Sequence, residues 1–163
     1  MKSEKEIEKF KKIINRQRTN PRIWDYTYLM LRSNLITFKK FRDLLINENK
    51  TKILDVGCGF KPWLAFFDRN NVEYTGIDFE KETSSADFIG SSENLPFSEN
   101  TFDALIYSEV FEHIKNLNPA LKELRRVSKN NSLIFISSPF IFPEHGIPND
   151  FQRLTQYFYE EVF

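Results

Sequence analysis

Two glycines in the run Ile53–Pro62 (ILDVGCGFKP) could hold a ligand close to the backbone. The apolar residues before Gly57 predict a buried strand, and Gly57 and Gly59 predict a tight turn that opens a helix. A dinucleotide-binding turn would carry a third glycine, where this chain has Pro62. The run therefore favours a nucleoside ligand without a pyrophosphate over NAD or FAD. A purely structural turn is the alternative.

An acidic residue ends the next apolar run, Tyr74–Asp78. Asp78 follows Asp55 at about the 20-residue spacing expected of a carboxylate that accepts hydrogen bonds from both ribose hydroxyls. We therefore predict that Asp78 binds ribose. An ordinary aspartate at the end of a strand is the alternative.

The only two histidines, His113 and His145, are both expected in loops that follow strands. Open α/β sheets bind their ligands on that side. An imidazole there could act as a general base, a role that contributes about 10²- to 10⁴-fold to a rate. A packed or surface imidazole is the alternative for each.

The elements that must position these residues fall into two parts. Residues 3–18 have helical apolar spacing, with Ser3 and Glu6 as a capping box, and a second helix is predicted after Asn20-Pro21. This quarter is rich in cations, which we interpret as a solvated helix face, with a docking patch as the alternative. These cations are Lys11, Lys12, Arg16, Arg18 and Arg22.

From residue 52 onward, short apolar runs alternate with polar or helical segments, a pattern typical of a parallel sheet. The clearest intervening helix is predicted at 119–127, capped by Asn118, with a turn at 129–132 and a final helix capped by Thr155. The predicted strands are Ile53–Val56, Tyr74–Ile77, Phe88–Ile89, Ala104–Tyr107 and Leu133–Ile136.

Composition limits the class of protein. The 163 residues carry 23 Lys and Arg against 23 Asp and Glu, so no overall charge attracts nucleic acid or anionic lipid. One cysteine, no apolar run of membrane-spanning length and a charged N-terminus favour a soluble protein of the cytoplasm. We expect a small-molecule substrate, no nucleic acid and no membrane, and the oligomeric state stays open.

The segments DVGCG, GID, ENLPFSENTFD and SEVFEHI, in this order over residues ~50 to ~155, resemble the type 11 class I methyltransferases. The resemblance implies a Rossmann-like fold and S-adenosylmethionine as cofactor. Asp55, Gly57 and Gly59 would lie under the methionine moiety and Asp78 on the ribose. The backbone of residues 92–95 would border the adenine, although Ser91 replaces the acid that the family prefers before it. The implied cofactor-binding set is Asp55, Gly57, Gly59, Asp78, Ser92, Glu93, Asn94 and Ser108.

Glu109, Glu112 and His113 form an E-x-x-E-H motif. It resembles the divalent-metal motif of ubiquinone-pathway O-methyltransferases and small-RNA terminal methyltransferases, in which a further histidine completes the site. His145 is available for that role. The same pattern is widespread in relatives that are not known to need a metal, so we prefer a site without one.

The segment PEHGIPNDFQRLT, at residues 143–155, resembles a stretch of methyltransferases encoded with polysaccharide or glycan biosynthesis genes. The resemblance implies that His145, Asp150 and Arg153 lie at the substrate entrance, where Arg153 could clamp a carboxylate or phosphate. A structural loop held by an Asp150–Arg153 pair is the alternative.

Together these features predict an α/β three-layer sandwich with a mostly parallel sheet. A helical N-terminal cap over 1–48 precedes a methyltransferase domain over 49–163, and we expect the last strands of the family fold to be missing. The expected activity is methyl transfer from S-adenosylmethionine to an oxygen or nitrogen of a small molecule, with a sugar or glycan precursor as one such acceptor. A cofactor-binding but catalytically idle module and, less favoured because of Pro62, a nicotinamide oxidoreductase are the alternatives.

Overall fold

The computed structural model describes residues 3–45 and 51–163. Within them, 3₁₀ helices cover Pro62–Phe66 and Phe111–His113. None of the helices described is long and apolar enough to cross a bilayer. The α-helices are α1 (Glu4–Thr19), α2 (Tyr28–Leu45), α3 (Leu117–Val127) and α4 (Gln156–Val162), and the strands are β1 (Thr51–Val56), β2 (Val72–Asp78), β3 (Phe88–Ile89), β4 (Phe102–Ser108) and β5 (Ser128–Ser137).

The five strands form one sheet in the order β3-β2-β1-β4-β5, and every neighbouring pair is parallel. The chain moves outward in one direction from β1 to β3 and in the other from β4 to β5. The change of direction lies between β1 and β4, and ligands bind at the carboxyl ends of strands next to such a point. The predicted parallel α/β sheet is confirmed.

Helices cover both faces of the sheet. On one face, Phe38 of α2 is fully buried and its ring stacks on Trp63 at a centroid distance of 4.1 Å. On the other face, Leu121 and Leu124 of α3 are buried in a cluster with Leu105 of β4. The three-layer arrangement is thus confirmed, and burial on both faces explains why the central strands read as continuous apolar runs.

Most element predictions agree with the structure. All five predicted strands are present, and Ser3 and Glu6 form the capping box of α1. Thr155 accepts a hydrogen bond from the Phe158 N–H at the start of α4. The predicted domain boundary after residue 48 lies outside the described residues.

Three local predictions were wrong. Helix α3 begins at Leu117, because Asn116 rather than Asn118 caps it by accepting the Asn118 N–H at 3.1 Å. Residues 129–132 belong to β5 and are not a turn: left-handed Asn131, at φ +65°, sits where the pairing with β4 shifts register. The glycine-rich turn opens only the 3₁₀ helix Pro62–Phe66, after which Phe67 is extended.

Candidate cofactor and acceptor site

The glycine-rich turn lies at the carboxyl end of β1. Gly57 and Gly59 adopt φ of +64° and +49°, which residues with a Cβ rarely adopt. The N–H groups of Gly57 and Cys58 both donate to the carbonyl of Ile77, at 2.9 and 3.2 Å, which ties the turn to β2. A Cβ built on Gly59 would meet nothing within 4 Å, so the backbone there faces open space. This is the predicted geometry for close approach of a ligand.

The turn forms one wall of a cavity, and α1 forms another. Phe10, Ile14 and Arg18 of α1 face the turn across it, and Asp55 and Ser108 line it from the strand ends. The remaining lining residues are Gly57, Cys58, Gly59, Phe60, Pro62, Trp63 and Thr83. Four of the predicted cofactor residues, Asp55, Gly57, Gly59 and Ser108, are therefore brought together here.

Asp55 carries a buried carboxyl group beneath this cavity, with only 1% of its surface exposed. The Tyr74 hydroxyl donates to its Oδ2 at 2.5 Å. Burial raises the pKa of Asp55 to about 7, although the Tyr74 hydrogen bond and the positive charge of Lys61 act in the opposite direction. The carboxyl group therefore changes charge close to neutral pH.

Asp78 contacts the cavity lining at Gly59, whereas the predicted adenine-binding turn lies farther along the sheet edge, and neither lines the cavity. Asp78 accepts the Gly59 N–H at 2.8 Å and the Glu80 N–H at 3.1 Å, so its carboxylate braces the glycine-rich turn. The Gly90 N–H donates to the Asp78 carbonyl at 2.9 Å, and residues 91–94 then form a turn after β3. Ser92, Glu93 and Asn94 thus lie one strand farther along the same edge of the sheet.

Arg18 also lines the cavity, although no sequence motif pointed to it. Its Nη1 atom is buried and has no hydrogen-bond partner among the described residues. The interpretation of the N-terminal cations as a solvated face is wrong for this one, because Arg18 shares the inward face of α1 with Phe10 and Ile14. The helical spacing 10, 14, 18 was a signal that could have identified it.

A second cluster forms where the segment after β4 meets the loop after β5. Ligand atoms of Glu112, His113 and His145 all lie within 4.8 Å of one another. The Nε2 atoms of His113 and His145 are 3.8 and 3.7 Å from Glu112 Oε1. Glu112 is fully buried, and neither of its carboxylate oxygens has a hydrogen-bond partner among the described residues. Burial, followed by the charge of Glu109, raises the pKa of Glu112 to about 8.

Hydrogen bonds on the far side of each ring orient the two imidazoles. His113 Nδ1 lies 2.5 Å from the Asn149 carbonyl, and His145 Nδ1 lies 3.3 Å from the Pro143 carbonyl. Asp150 Oδ2 is 3.2 Å from the same His145 nitrogen and accepts the His145 main-chain N–H at 2.9 Å. These partners are acceptors, so each Nδ1 carries a proton, and in the neutral imidazole each Nε2 presents a lone pair toward Glu112. The geometry leaves two nitrogen acceptors facing one unpartnered carboxyl group.

Asp150 and Arg153 hold the loop that carries His145. Arg153 donates from both terminal nitrogens to Asp150, at 2.5 and 2.8 Å, and also to the carbonyl of Phe142 at 3.2 Å. The Arg153 hydrogen bond keeps the pKa of Asp150 well below its usual range. Because the guanidinium is occupied within the loop, these contacts favour the structural alternative for Arg153 over a substrate clamp.

Glu109 stays apart from the cluster. It adopts a left-handed φ of +59°, and Asn34 of α2 donates to its Oε1 at 3.1 Å. Next to it, the Ser108 and Ser137 hydroxyls are 3.1 Å apart at the ends of β4 and β5. Of the three residues in the E-x-x-E-H motif, only Glu112 and His113 join His145.

The fold and the glycine-rich turn define a class: a doubly wound α/β domain with a glycine-rich turn at its topological switch point, the place where such domains bind nucleotide-type ligands. Residues 54–136 match the model of the family described as "Methyltransferase domain". The chain belongs to this family, whose members use S-adenosylmethionine.

Relatives agree with this assignment, and a solved structure shares the fold. The demethylmenaquinone methyltransferase of Thermotoga maritima is 29% identical over 109 residues, covering 60% of this chain and 48% of the relative. The ubiquinone biosynthesis O-methyltransferase of Pelagibacter ubique is 23% identical over 161 residues, covering 83% and 65%. A SAM-dependent methyltransferase from Archaeoglobus fulgidus shares the fold with a TM-score of 0.58 at 18% identity, covering 85% and 72%. The chain thus spans less than two thirds of either relative.

Proposed function

We propose that this chain binds S-adenosylmethionine in the cavity between the glycine-rich turn and α1, and transfers its methyl group to an oxygen or nitrogen of a small molecule. The observation that carries the proposal is the pairing of open backbone at Gly59 with the unpartnered Nη1 of Arg18 across one cavity. A buried guanidinium N–H needs an acceptor, and the methionine carboxylate would supply an anionic one. The residues present therefore fit the cofactor.

Each part of the site has a distinct task. Arg18 would hold the carboxylate, the Gly57–Gly59 turn would let the cofactor approach the main chain, and Asp78 would brace that turn and face the ribose. The turn at Ser92, Glu93 and Asn94 would border the adenine. The cofactor supplies an activated methyl group, so the chain needs mainly to align the acceptor behind it, and alignment contributes much of the rate.

His145 is the proposed base for a hydroxyl acceptor. Its Nε2 lone pair would take the hydroxyl proton while the acceptor oxygen bonds to the methyl carbon and the carbon–sulfur bond breaks, with the electron pair passing to sulfur. Asp150 accepts the His145 main-chain N–H and has Oδ2 3.2 Å from His145 Nδ1, so it would position the ring, and Arg153 would hold Asp150. Asp150 and Arg153 are thus positioning residues, and His145 is the group that touches the acceptor.

Two classes of acceptor follow from different observations. The 143–155 segment resembles methyltransferases of glycan biosynthesis, which supports a sugar or glycan-precursor hydroxyl. Two relatives are named for a menaquinone precursor and for ubiquinone biosynthesis, which supports a hydroxyl group on a quinone-type ring. We propose the sugar class first, because the loop that carries the proposed base also carries that resemblance.

Divalent-metal binding is a second candidate role for the cluster. An unpartnered carboxylate and two Nε2 lone pairs, each with its opposite Nδ1–H bonded to oxygen, fit the donor set of a metal site. Glu112, His113 and His145 would hold the ion, which would supply Lewis-acid activation of the acceptor oxygen. We prefer the metal-free role because Glu109, the remaining residue of the motif, is bonded to Asn34.

The proposal is tested by calorimetry with S-adenosylhomocysteine and by transfer of labelled methyl from S-adenosylmethionine to panels of sugars and of hydroxylated quinones. We expect binding, and label in a product of one panel. Binding without transfer to any acceptor would point to an idle module, and binding of NAD in place of S-adenosylhomocysteine would point to an oxidoreductase. Activity that vanishes with a chelator and returns with added Mg²⁺, Mn²⁺ or Zn²⁺ would assign the metal role.

A further inference from the structure

The outer face of α1 is strongly basic. Lys5, Lys9 and Lys12 follow helical spacing on the side opposite Phe10 and Ile14 and are exposed. Arg22 borders the same open surface, where Glu8 is the only carboxylate among the lining residues described. Between residues 3 and 24 the chain has seven Lys and Arg against three Glu, although its overall charge is zero. The positive charge is therefore concentrated on this one element.

An exposed apolar segment, defined here as Ile23, Trp24, Tyr26 and Leu29, begins beside that basic face. The exposed fractions of these four side chains lie between 73% and 87%. The Arg22 guanidinium lies 5.6 Å from the centre of the Trp24 ring, so the basic face and the apolar segment are continuous. Leaving four large apolar side chains within seven residues exposed to water has a substantial free-energy cost.

We propose that the basic face of α1 and the apolar segment dock on an anionic lipid surface. Trp and Tyr prefer the polar–apolar boundary of a bilayer, Ile and Leu insert shallowly, and neighbouring Lys and Arg pair with anionic head groups. The occupant follows from charge complementarity together with the apolar segment. A local cationic face is attracted to a negatively charged surface, and the four exposed apolar side chains beside it favour a lipid surface over other anionic partners. The protein would lie on the surface of the bilayer and contact it through these side chains.

The docking surface ends at the acceptor site. The Tyr26 ring lies 6.4 Å from the Phe142 ring, and the Phe142 ring lies 5.2 Å from the imidazole of His145. A bilayer that covers the apolar segment would therefore lie against the entrance to the cluster. An acceptor delivered from the bilayer would enter beside His145, a consequence that rests on the proposed function, whereas lipid binding does not.

Vesicle binding by the full chain tests the inference without any turnover. Trp63 is 2% exposed and Trp24 is 73% exposed, so a blue shift of tryptophan emission reports Trp24 entering lipid. We expect cosedimentation and a blue shift with vesicles of phosphatidylcholine containing phosphatidylglycerol, weakening with salt, and neither effect with phosphatidylcholine alone.

Two sets of variants separate charge from apolar insertion. Lys5→Gln, Lys9→Gln and Lys12→Gln together should lower the partition coefficient roughly 100-fold, or about fivefold per cation. The matched control, Lys39→Gln, Lys40→Gln and Lys81→Gln, removes the same charge from exposed positions elsewhere and should leave most of the binding. Trp24→Ser with Ile23→Ser should weaken binding that survives high salt, whereas Leu44→Ser, at an exposed leucine outside the segment, should not.

Several results would overturn the inference. The first is that the chain does not cosediment with anionic vesicles, and the second is that both triple-lysine variants lose vesicle binding equally. The third is that the chain binds a short nucleic-acid duplex through the same lysines and does not bind vesicles. A blue shift that depends on protein concentration in the absence of lipid would instead assign the surface to a second copy of this chain. Unchanged melting temperatures of the variants confirm that their fold is intact.

Discussion

At the scale of single residues, the sharpest expectation concerns Arg18. Replacing Arg18 with Met keeps an unbranched apolar stem and removes the guanidinium and its charge. Because a hydrogen bond to a charged group contributes about 1.5 to 3 kcal/mol, we expect the affinity for S-adenosylhomocysteine to fall roughly 10- to 100-fold by calorimetry. Arg22→Met, at an exposed cation outside the cavity, should leave the affinity unchanged.

A ligand that lacks the carboxylate isolates this contact. Decarboxylated S-adenosylhomocysteine should bind the wild-type chain about as weakly as the complete ligand binds Arg18→Met, and the variant should bind both ligands equally. A variant that still discriminates between the two ligands would show that another group holds the carboxylate.

His145 is the residue on which the proposed chemistry depends. His145→Gln should lower turnover about 10²-fold or more, with unchanged affinity for S-adenosylhomocysteine, because the glutamine cannot take a proton. Asp150→Asn should produce a smaller loss in kcat and alter its pH profile, since the ring orientation loosens while the imidazole remains. Full turnover in His145→Gln, with no effect of a chelator, would exclude both the base and the metal role.

At the scale of elements, α1 forms a wall of the cofactor cavity and buries none of its residues. It is held by Arg16, which donates to both carboxylate oxygens of Asp25 at 2.5 and 2.7 Å, and by Asn15, which donates to the Phe60 carbonyl at 3.3 Å. A helix attached through a few polar contacts opens more readily than one packed into the core. The position of Arg18 therefore depends on the anchor at Asp25.

Asp25→Ala should loosen α1 while the sheet stays intact. We expect faster hydrogen exchange of the α1 amides and a severalfold loss of cofactor affinity, with little change in exchange at β1 and β4. Glu8→Ala removes an exposed partner 3.9 Å from Lys12 on the same helix and serves as the control. Equal exchange rates in α1 for the wild type and Asp25→Ala would contradict this role of the anchor.

At the scale of the whole molecule, buried Asp55 links stability to pH. Its pKa of about 7 in the folded chain lies above the ordinary value of 3.8, so the folded state holds a proton that the unfolded state releases. The stabilisation from this group is therefore complete below about pH 4 and is lost as the pH rises through 7. Asp25 and Asp150, whose pKa values are lowered, act in the opposite direction, and their stabilisation is lost as the pH falls through their folded pKa values.

Asp55→Asn removes this dependence, because the amide does not titrate. Between pH 5 and pH 8, the free energy of unfolding of the wild type should fall relative to that of the variant by roughly 2 to 3 kcal/mol. Denaturant titrations of both proteins at the two pH values measure this difference. Tyr74→Phe removes the hydroxyl that donates to Asp55 and should raise the pKa of Asp55 further. The pH range over which stability falls should therefore become wider. Parallel pH profiles for the wild type and Asp55→Asn would contradict the assignment.

Features that depend on neighbours in the chain were predictable from the sequence. The strands β1 to β5, the capping box of α1 and the turn at Gly57 and Gly59 follow from apolar runs, helical spacing and residues that tolerate left-handed backbone. Where two local signals competed, as at Asn116 and Asn118 or at Asn131 within β5, the choice between them depended on tertiary contacts.

Which residues meet in the candidate site depends on contacts between segments that are far apart in the sequence. Glu112 and His145 are far apart in the chain, and they meet because hydrogen bonds hold the loop after β5 against the segment after β4. The Phe151 N–H donates to the Glu112 carbonyl at 2.8 Å, and the Gln152 side chain donates to the carbonyls of Phe111 and Ile114. Arg18 lies in the cofactor cavity because α1 packs against the glycine-rich turn, whereas the sequence shows only one cation among many. Side-chain direction across 30 or more residues depends on the packing of whole elements, which residue spacing along the chain does not encode.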